Sequence, residues 1–382
     1  MRWRRRFLTL AFVSTLTSVL VFAASWAGAQ NLPSAISDQD FWRMVTEFSE
    51  AGGVFQQEVM SNEDSSQFVI PALKETARRG GVYIGVGPEQ NFTYAAAIQP
   101  KLAFVVDIRR DNMLEHLMYK ALFERSIDRA DFVSRLFSRP RPAGLDANST
   151  VQALFDAYQT VESDAKLYNE NTLTVLATLE NAHTFPLSEA DRASITRMMN
   201  TFRTAGPHAL KGSGDKNQTY AQLMAASDLT GRNQSYLASE ENFAIVQKLQ
   251  RENRIIPLVG DFAGEKAIVS IGRYLKEHKA IVDVFYVSNV ERYLFDQGEH
   301  GKQFYANALA LPINPSSIFI RSVTVDISRR LGIPIPDGPA NWRSFLFPMS
   351  DSLEAFAAAR FQTYRDLFEI IPPIGAIGQP AR

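Results

Sequence analysis

Hydrophobic positions along the chain change period several times, and the changes mark the elements. Phe41, Val45 and Phe48 recur at helical spacing, as do Val69, Leu73 and Ala77, so residues 31–79 read as an N-terminal helical cap. The run Gly81-Val82-Tyr83-Ile84-Gly85-Val86-Gly87 then reads as a short buried strand entering a glycine turn. Pro88 suits the first position of a helix continuing through Phe92, Tyr94 and Ala97. A second buried strand, Lys101-Leu102-Ala103-Phe104-Val105-Val106-Asp107, is polar only at its ends. Such a β-α-β unit predicts parallel strands joined by a right-handed crossover.

A long helix is expected from Asn112 to about Phe137, ended by Arg139-Pro140-Arg141-Pro142. Residues 146–215 carry helical patterns without a strand signal, including the capping-box-like Ser188-Glu189-Ala190-Asp191, and read as a helical insertion. It closes on Lys211-Gly212-Ser213-Gly214-Asp215, a flexible joint by composition. Helices near 239–252, 265–277 and 304–309 then alternate with apolar runs at 255–260, 281–287 and 317–323. Five such strands among helices predict a doubly wound, mostly parallel Rossmann-like α/β sheet. Its first part spans 80–145 and its second 216–347, with a C-terminal helix and tail at 348–382.

The N-terminus changes the reading of charge. Arg2, Arg4, Arg5 and Arg6 precede an uncharged apolar run from Phe7 to about Trp26 that closes on Ala27-Gly28-Ala29, the layout of a secretory signal peptide over residues 1–29. Removing its four arginines takes the formal charge from -1 to -5. Export to the periplasm or medium is the expectation, by the general or the twin-arginine route, Arg4-Arg5-Arg6-Phe7-Leu8 fitting the latter. The alternative is a retained anchor, which makes the membrane a partner only through this segment. An acidic mature chain offers no bulk attraction to nucleic acid, and zero cysteines exclude thiol nucleophiles, disulfides and cysteine-ligated metals.

Candidate chemistry gathers at Gly85-Val86-Gly87-Pro88-Glu89-Gln90-Asn91, followed 20 residues after Gly87 by Asp107 at a strand end. Glycines at a strand-to-helix turn admit a ligand to the backbone, and the helix N-terminus presents N–H groups and partial positive charge. A carboxylate at that spacing can accept from ribose hydroxyls, so a nucleoside-containing small ligand fits. A tight turn followed by a solvated aspartate is the plainer alternative. The five histidines form no HxxxH or HxH pair and no GxSxG is present, so neither a local metal site nor a serine-hydrolase elbow is indicated.

Over about 80–137 and 239–325 the chain resembles the class I S-adenosylmethionine-dependent methyltransferase fold, through Gly85-x-Gly87, Asp107, Gly260-Asp261-Phe262 and Ser288-Asn289-Val290-Glu291. The string Gly85 to Asn91 with Asp107-Ile108-Arg109-Arg110 is similar to an uncharacterised bacterial family of this fold. The resemblance implies S-adenosylmethionine as cofactor, the glycine loop near its methionine part, Asp107 at the ribose and Asp261 at the adenine. It implies that Ser288-Asn289-Val290-Glu291 faces the substrate, where Asn289 and Glu291 are candidates to orient a nucleophile or take its proton. Two positions depart from the pattern: Tyr83 stands where an acidic residue is usual, and Glu89 where a third glycine is frequent. Two functions follow as expectations: an exported methyltransferase-like protein of unknown acceptor, or a non-catalytic envelope binding protein on the same fold.

Overall fold

A computed structural model describes residues 30–56, 59–61, 63, 65–209, 218–330 and 342–374. The signal segment 1–29 and the joint at 211–215 lie outside the described residues. Among those described, no helix is long and apolar enough to cross a membrane.

Six strands form one sheet: β1 Val82–Gly85, β2 Leu102–Asp107, β3 Ile255–Val259, β4 Val282–Ser288, β5 Ile318–Thr324 and β6 Trp342–Pro348. Their order is β3-β2-β1-β4-β5-β6. β1 to β5 pair in parallel, and β6 runs antiparallel to β5. β1, β2 and β3 are buried along their whole length, which is why they read as continuous apolar runs. From β1 the chain winds outward through β2 to β3, then returns past β1 to β4 and β5. Right-handed crossovers in opposite directions place helices on both faces. Gln90–Ile98, Arg110–Arg125 and Glu240–Arg251 pack together, as do Ala267–Glu277 and His300–Leu309. The sheet is therefore doubly wound, as the pattern predicts, with β6 as an unforeseen edge strand.

Three expected features take a different form. The long helix breaks in two, Arg110–Arg125 and Arg129–Phe137, because Asp128 caps the second by accepting from the Asp131 N–H at 2.7 Å. Among the described residues, the cap is helical at Asp38–Glu47 and at Ile70–Thr76, with a 3-10 turn before the latter. Between them a strap crosses the carboxyl ends of β3 and β2, the Glu50 N–H reaching Val259 O at 3.0 Å and the Gly53 N–H reaching Ile108 O at 2.8 Å. A Cβ on Gly53 would stand 2.5 Å from the Ile108 side chain, so the strap lies this close only with glycine.

The insertion contributes the helices Val151–Gln159, Ala165–Ala177 and Glu189–Ala205, the last opened by the Ser188–Asp191 capping box. Asp191 also receives Arg110 through two hydrogen bonds of 2.8 and 2.9 Å. Buried apolar side chains of the insertion and of the sheet domain belong to one continuous core.

Candidate functional site

The strand order reverses between β1 and β4, and in open α/β sheets ligands bind outside the carboxyl ends of the strands at such a point. A cleft of about 250 Å³ opens there. Its floor is Val86, Gly87 and Pro88 after β1, with Ser288 and Asn289 after β4. Asp107 and Arg109 after β2 and Asp261 after β3 form one side; Val290, Tyr293 and Leu294 form the opposite side. Phe55 and Gln56 of the strap lie across it. Apolar walls with a few convergent polar groups are the form that small-molecule sites take.

The glycine turn is held from beneath by residues that sequence reading placed at the ligand. Asn91 accepts from the Tyr83 hydroxyl at 2.8 Å, while its amide donates to the carbonyls of Val86, Gly87 and Pro88 at 3.0, 3.0 and 2.7 Å. A Cβ on Gly85 would stand 2.0 Å from Asn91 Oδ1 and 2.6 Å from the Tyr83 hydroxyl. Gly85 therefore makes room for this clamp, not for a ligand. Gly87 has φ +77 and open space around it, so glycine is required there by conformation alone. His116 Nε2 lies 2.9 Å from Gly87 O. Burial pushes this imidazole down to about 4, against the opposing pull of that carbonyl, so it is neutral and donates.

Glu89 and Gln90 also turn inward. Both Glu89 carboxylate oxygens accept from the Ser61 N–H, at 3.1 and 3.0 Å. Gln90 Nε2 donates to Glu63 Oε2 at 3.3 Å and to the Tyr94 hydroxyl at 3.1 Å. Glu89, Gln90 and Asn91 thus build the loop's support and do not line the cleft, since the helix they open points those side chains into the core.

Asp107 lines the cleft but is committed on three sides. It receives Arg109 Nε at 2.9 Å, Nη2 at 2.8 Å and the Arg109 N–H at 2.8 Å. A carboxylate has about four acceptor positions, so one remains for a ligand hydroxyl. Asp261 stands at the β3 end with one oxygen accepting from the Ala263 N–H at 2.8 Å. Asn289 lines the cleft as expected, and Glu291 does not. Glu291 begins a helix that turns its side chain to the far side, where it meets Arg321 Nε at 2.7 Å and the Tyr305 hydroxyl at 2.6 Å with no exposed surface. Its expected role as a proton acceptor at the cleft is corrected to a buried ion pair.

Sequence reading missed Glu63. It enters from the strap side and sits buried behind β4, accepting from the hydroxyls of Ser288 and Ser322, from Ser344 Oγ at 3.3 Å and from the Gln90 amide. The phenols of Tyr94 and Tyr286 stay well above the ordinary tyrosine range, first through burial and then through this neighbouring carboxylate. Ser288 itself has φ +52 at the strand end, a left-handed conformation that L side chains rarely adopt. Partners 225 residues apart leave no local signal that spacing could reveal. Among the described residues no group of three or more His, Asp or Glu side chains is arranged to hold a metal ion.

A family model described as a domain of unknown function (DUF7790) matches residues 59–145 and 141–368. The match takes in the whole sheet, the insertion and every cleft residue except those of the strap at 54–56. No curated protein matches the chain.

Proposed function

The chain belongs to the family described as domain of unknown function (DUF7790), and from the geometry of its cleft we propose that it binds a nucleoside-type cofactor, S-adenosylmethionine, as an exported methyltransferase-like protein. The observation that carries this reading is the meeting at one strand-order reversal of a left-handed glycine turn, Asp107 and Asp261. Asp107 offers its remaining acceptor position to a ribose hydroxyl, and Asp261 its free oxygen to an exocyclic amine. Transfer of a methyl group needs chiefly an aligned donor and nucleophile, so the cleft's main task is positioning.

One observation favours the second reading, a non-catalytic envelope binding protein. Glu291 is spent on Arg321 and Asp107 on Arg109, so neither is free to act as a base. Calorimetric titration of the purified protein with S-adenosylmethionine and S-adenosylhomocysteine separates binding from its absence. One site per chain, weakened roughly 5- to 100-fold in Asp261→Ala through loss of a charge-assisted hydrogen bond, is expected. A folded sample giving no heat at millimolar ligand contradicts the cofactor.

A further inference from the structure

The wall of the cleft formed by β4 and the following helix differs from the glycine side. Phe55, Tyr286, Val290, Tyr293 and Leu294 make it aromatic and apolar, and its polar side chains are Ser288, Asn289 and, at the end of that helix, Gln297. The rings of Phe55 and Tyr293 meet edge to face at 5.3 Å, and at 41% and 36% exposure both remain open to solvent. An exposed aromatic pair at a cleft mouth is a surface on which a planar ring can pack.

Ser288 gives this wall a polarity. A hydroxyl carries one proton, and that of Ser288 goes to Glu63, so only lone pairs are left for the cleft. A group facing Ser288 must therefore be a hydrogen-bond donor; a carboxylate or phosphate there would meet lone pairs. Behind it, among the described residues, the hydroxyls of Ser288, Ser322 and Ser344 and the Gln90 amide reach Glu63, the Tyr286 hydroxyl also bonds to it, and none of these partners is cationic. Burying a carboxylate with only neutral hydrogen-bond partners is costly. The left-handed backbone of Ser288 adds a second cost at the same point. Gln99 and Ser138 take such a conformation as helix C-caps, whereas Ser288 takes it at the end of a strand, where it aims the hydroxyl between Glu63 and the cleft.

We propose that this wall is a subsite for a planar aromatic molecule bearing a hydroxyl, its ring against Phe55 and Tyr293 and its proton relayed through Ser288 to Glu63. This deepens the methyltransferase reading, and rests on it for the fate of the product, by naming the acceptor as a phenol. The ligand's O–H bond breaks and its proton passes to Ser288 Oγ, while the proton of Ser288 passes to Glu63 Oε1. The electron pair stays on the ligand oxygen. The result is a phenolate nucleophile beside the cofactor and a neutral Glu63 carboxyl, with nothing oxidised or reduced. Ser288 touches the substrate, and Glu63 acts through it.

The test uses 4-nitrophenol, whose phenolate is yellow, and nitrobenzene, which has the ring without the hydroxyl. Both are titrated into the full protein without nucleoside, in buffer acidic enough to keep free 4-nitrophenol protonated. Wild type should bind 4-nitrophenol at least tenfold more tightly than nitrobenzene and develop the phenolate band. Glu63→Gln and Ser288→Gly should bind nitrobenzene as wild type does, lose the tenfold preference and show no band. Ser288→Gly fits the left-handed position without strain, so it carries the test by itself if Glu63→Gln fails to fold. Wild type that binds neither probe, or binds the phenol in its protonated form, overturns the proposal, as does an undiminished band in either variant. Titration with S-adenosylhomocysteine alone decides the cofactor reading separately.

Discussion

Removing the Glu291 carboxylate should destabilise the protein strongly without touching the cleft. The carboxylate receives Arg321 through Nε at 2.7 Å and Nη2 at 3.2 Å, and the Tyr305 hydroxyl at 2.6 Å, all without exposed surface. The guanidinium lies over Phe319 and Phe347, its carbon 4.4 and 5.0 Å from the ring centres, so no water replaces the lost partner. Leaving one member of such a pair buried alone costs about 3–5 kcal/mol. Set against a typical total of about 5–15 kcal/mol, that is a third or more of the stability in many proteins. Urea unfolding of Glu291→Ala should show the midpoint falling accordingly at unchanged slope. The double variant Glu291→Leu with Arg321→Met should cost less than the two single changes added together, because neither charge is then stranded. Binding of S-adenosylhomocysteine by the folded fraction should persist. A Glu291→Ala protein within about 0.5 kcal/mol of wild type that has lost nucleoside binding would refute the buried-pair assignment and return Glu291 to the cleft.

Other substitutions test other parts of the account. Asn91→Ala strands the Tyr83 hydroxyl and three loop carbonyls and should cost about 2–4 kcal/mol in urea unfolding while weakening nucleoside binding; full affinity would show that the turn holds its shape unaided. Burial raises the Asp283 carboxyl to about 6, above its unfolded value, so its stabilising contribution is complete at low pH and lost as pH rises through about 6. Asp283→Asn should therefore be about 1–2 kcal/mol more stable than wild type at neutral pH and lose that advantage below about pH 4, and equal pH profiles would contradict this. His183 bridges Asp38 and Glu124 at 2.7 Å each; burial opposes its charge, but those bonds prevail and raise its pKa. Its stabilisation is thus complete below about pH 6.5 and fades as pH rises through the raised value, so His183→Gln should lower the melting temperature most in acid; a deficit growing with pH would reverse the assignment. Ser288→Gly and Ser288→Ala both remove the hydroxyl from buried Glu63, but only glycine relieves the left-handed backbone, so Ser288→Gly should be about 1 kcal/mol more stable than Ser288→Ala in urea unfolding; equal stabilities would deny the strain.

How much was legible in the sequence follows from what each residue contacts. β1 to β5 were readable because burial on both faces leaves uninterrupted apolar runs. β6 was hidden because Arg343 and Ser344 are polar yet buried in it. The glycine turn and the strand-end Asp107 were found at their true places, since strand, turn and helix are local. Which way the next side chains point was not: Glu89, Gln90 and Asn91 share the motif with Gly87, yet the helical rotation that follows directs them into the core. The same applies at Asn289 and Glu291, two residues apart and on opposite sides of one short helix start. Glu63 and the strap were beyond reach, because their partners Ser288, Ser322, Ile108 and Val259 come from distant parts of the chain.

The most direct test of the central claim is a crystal structure of the protein saturated with S-adenosylhomocysteine. The nucleoside is expected in the cleft between Gly87 and Asn289, with the ribose in hydrogen-bond reach of Asp107 and the adenine beside Asp261. Density for the ligand elsewhere, or an empty cleft in saturated crystals, would contradict it.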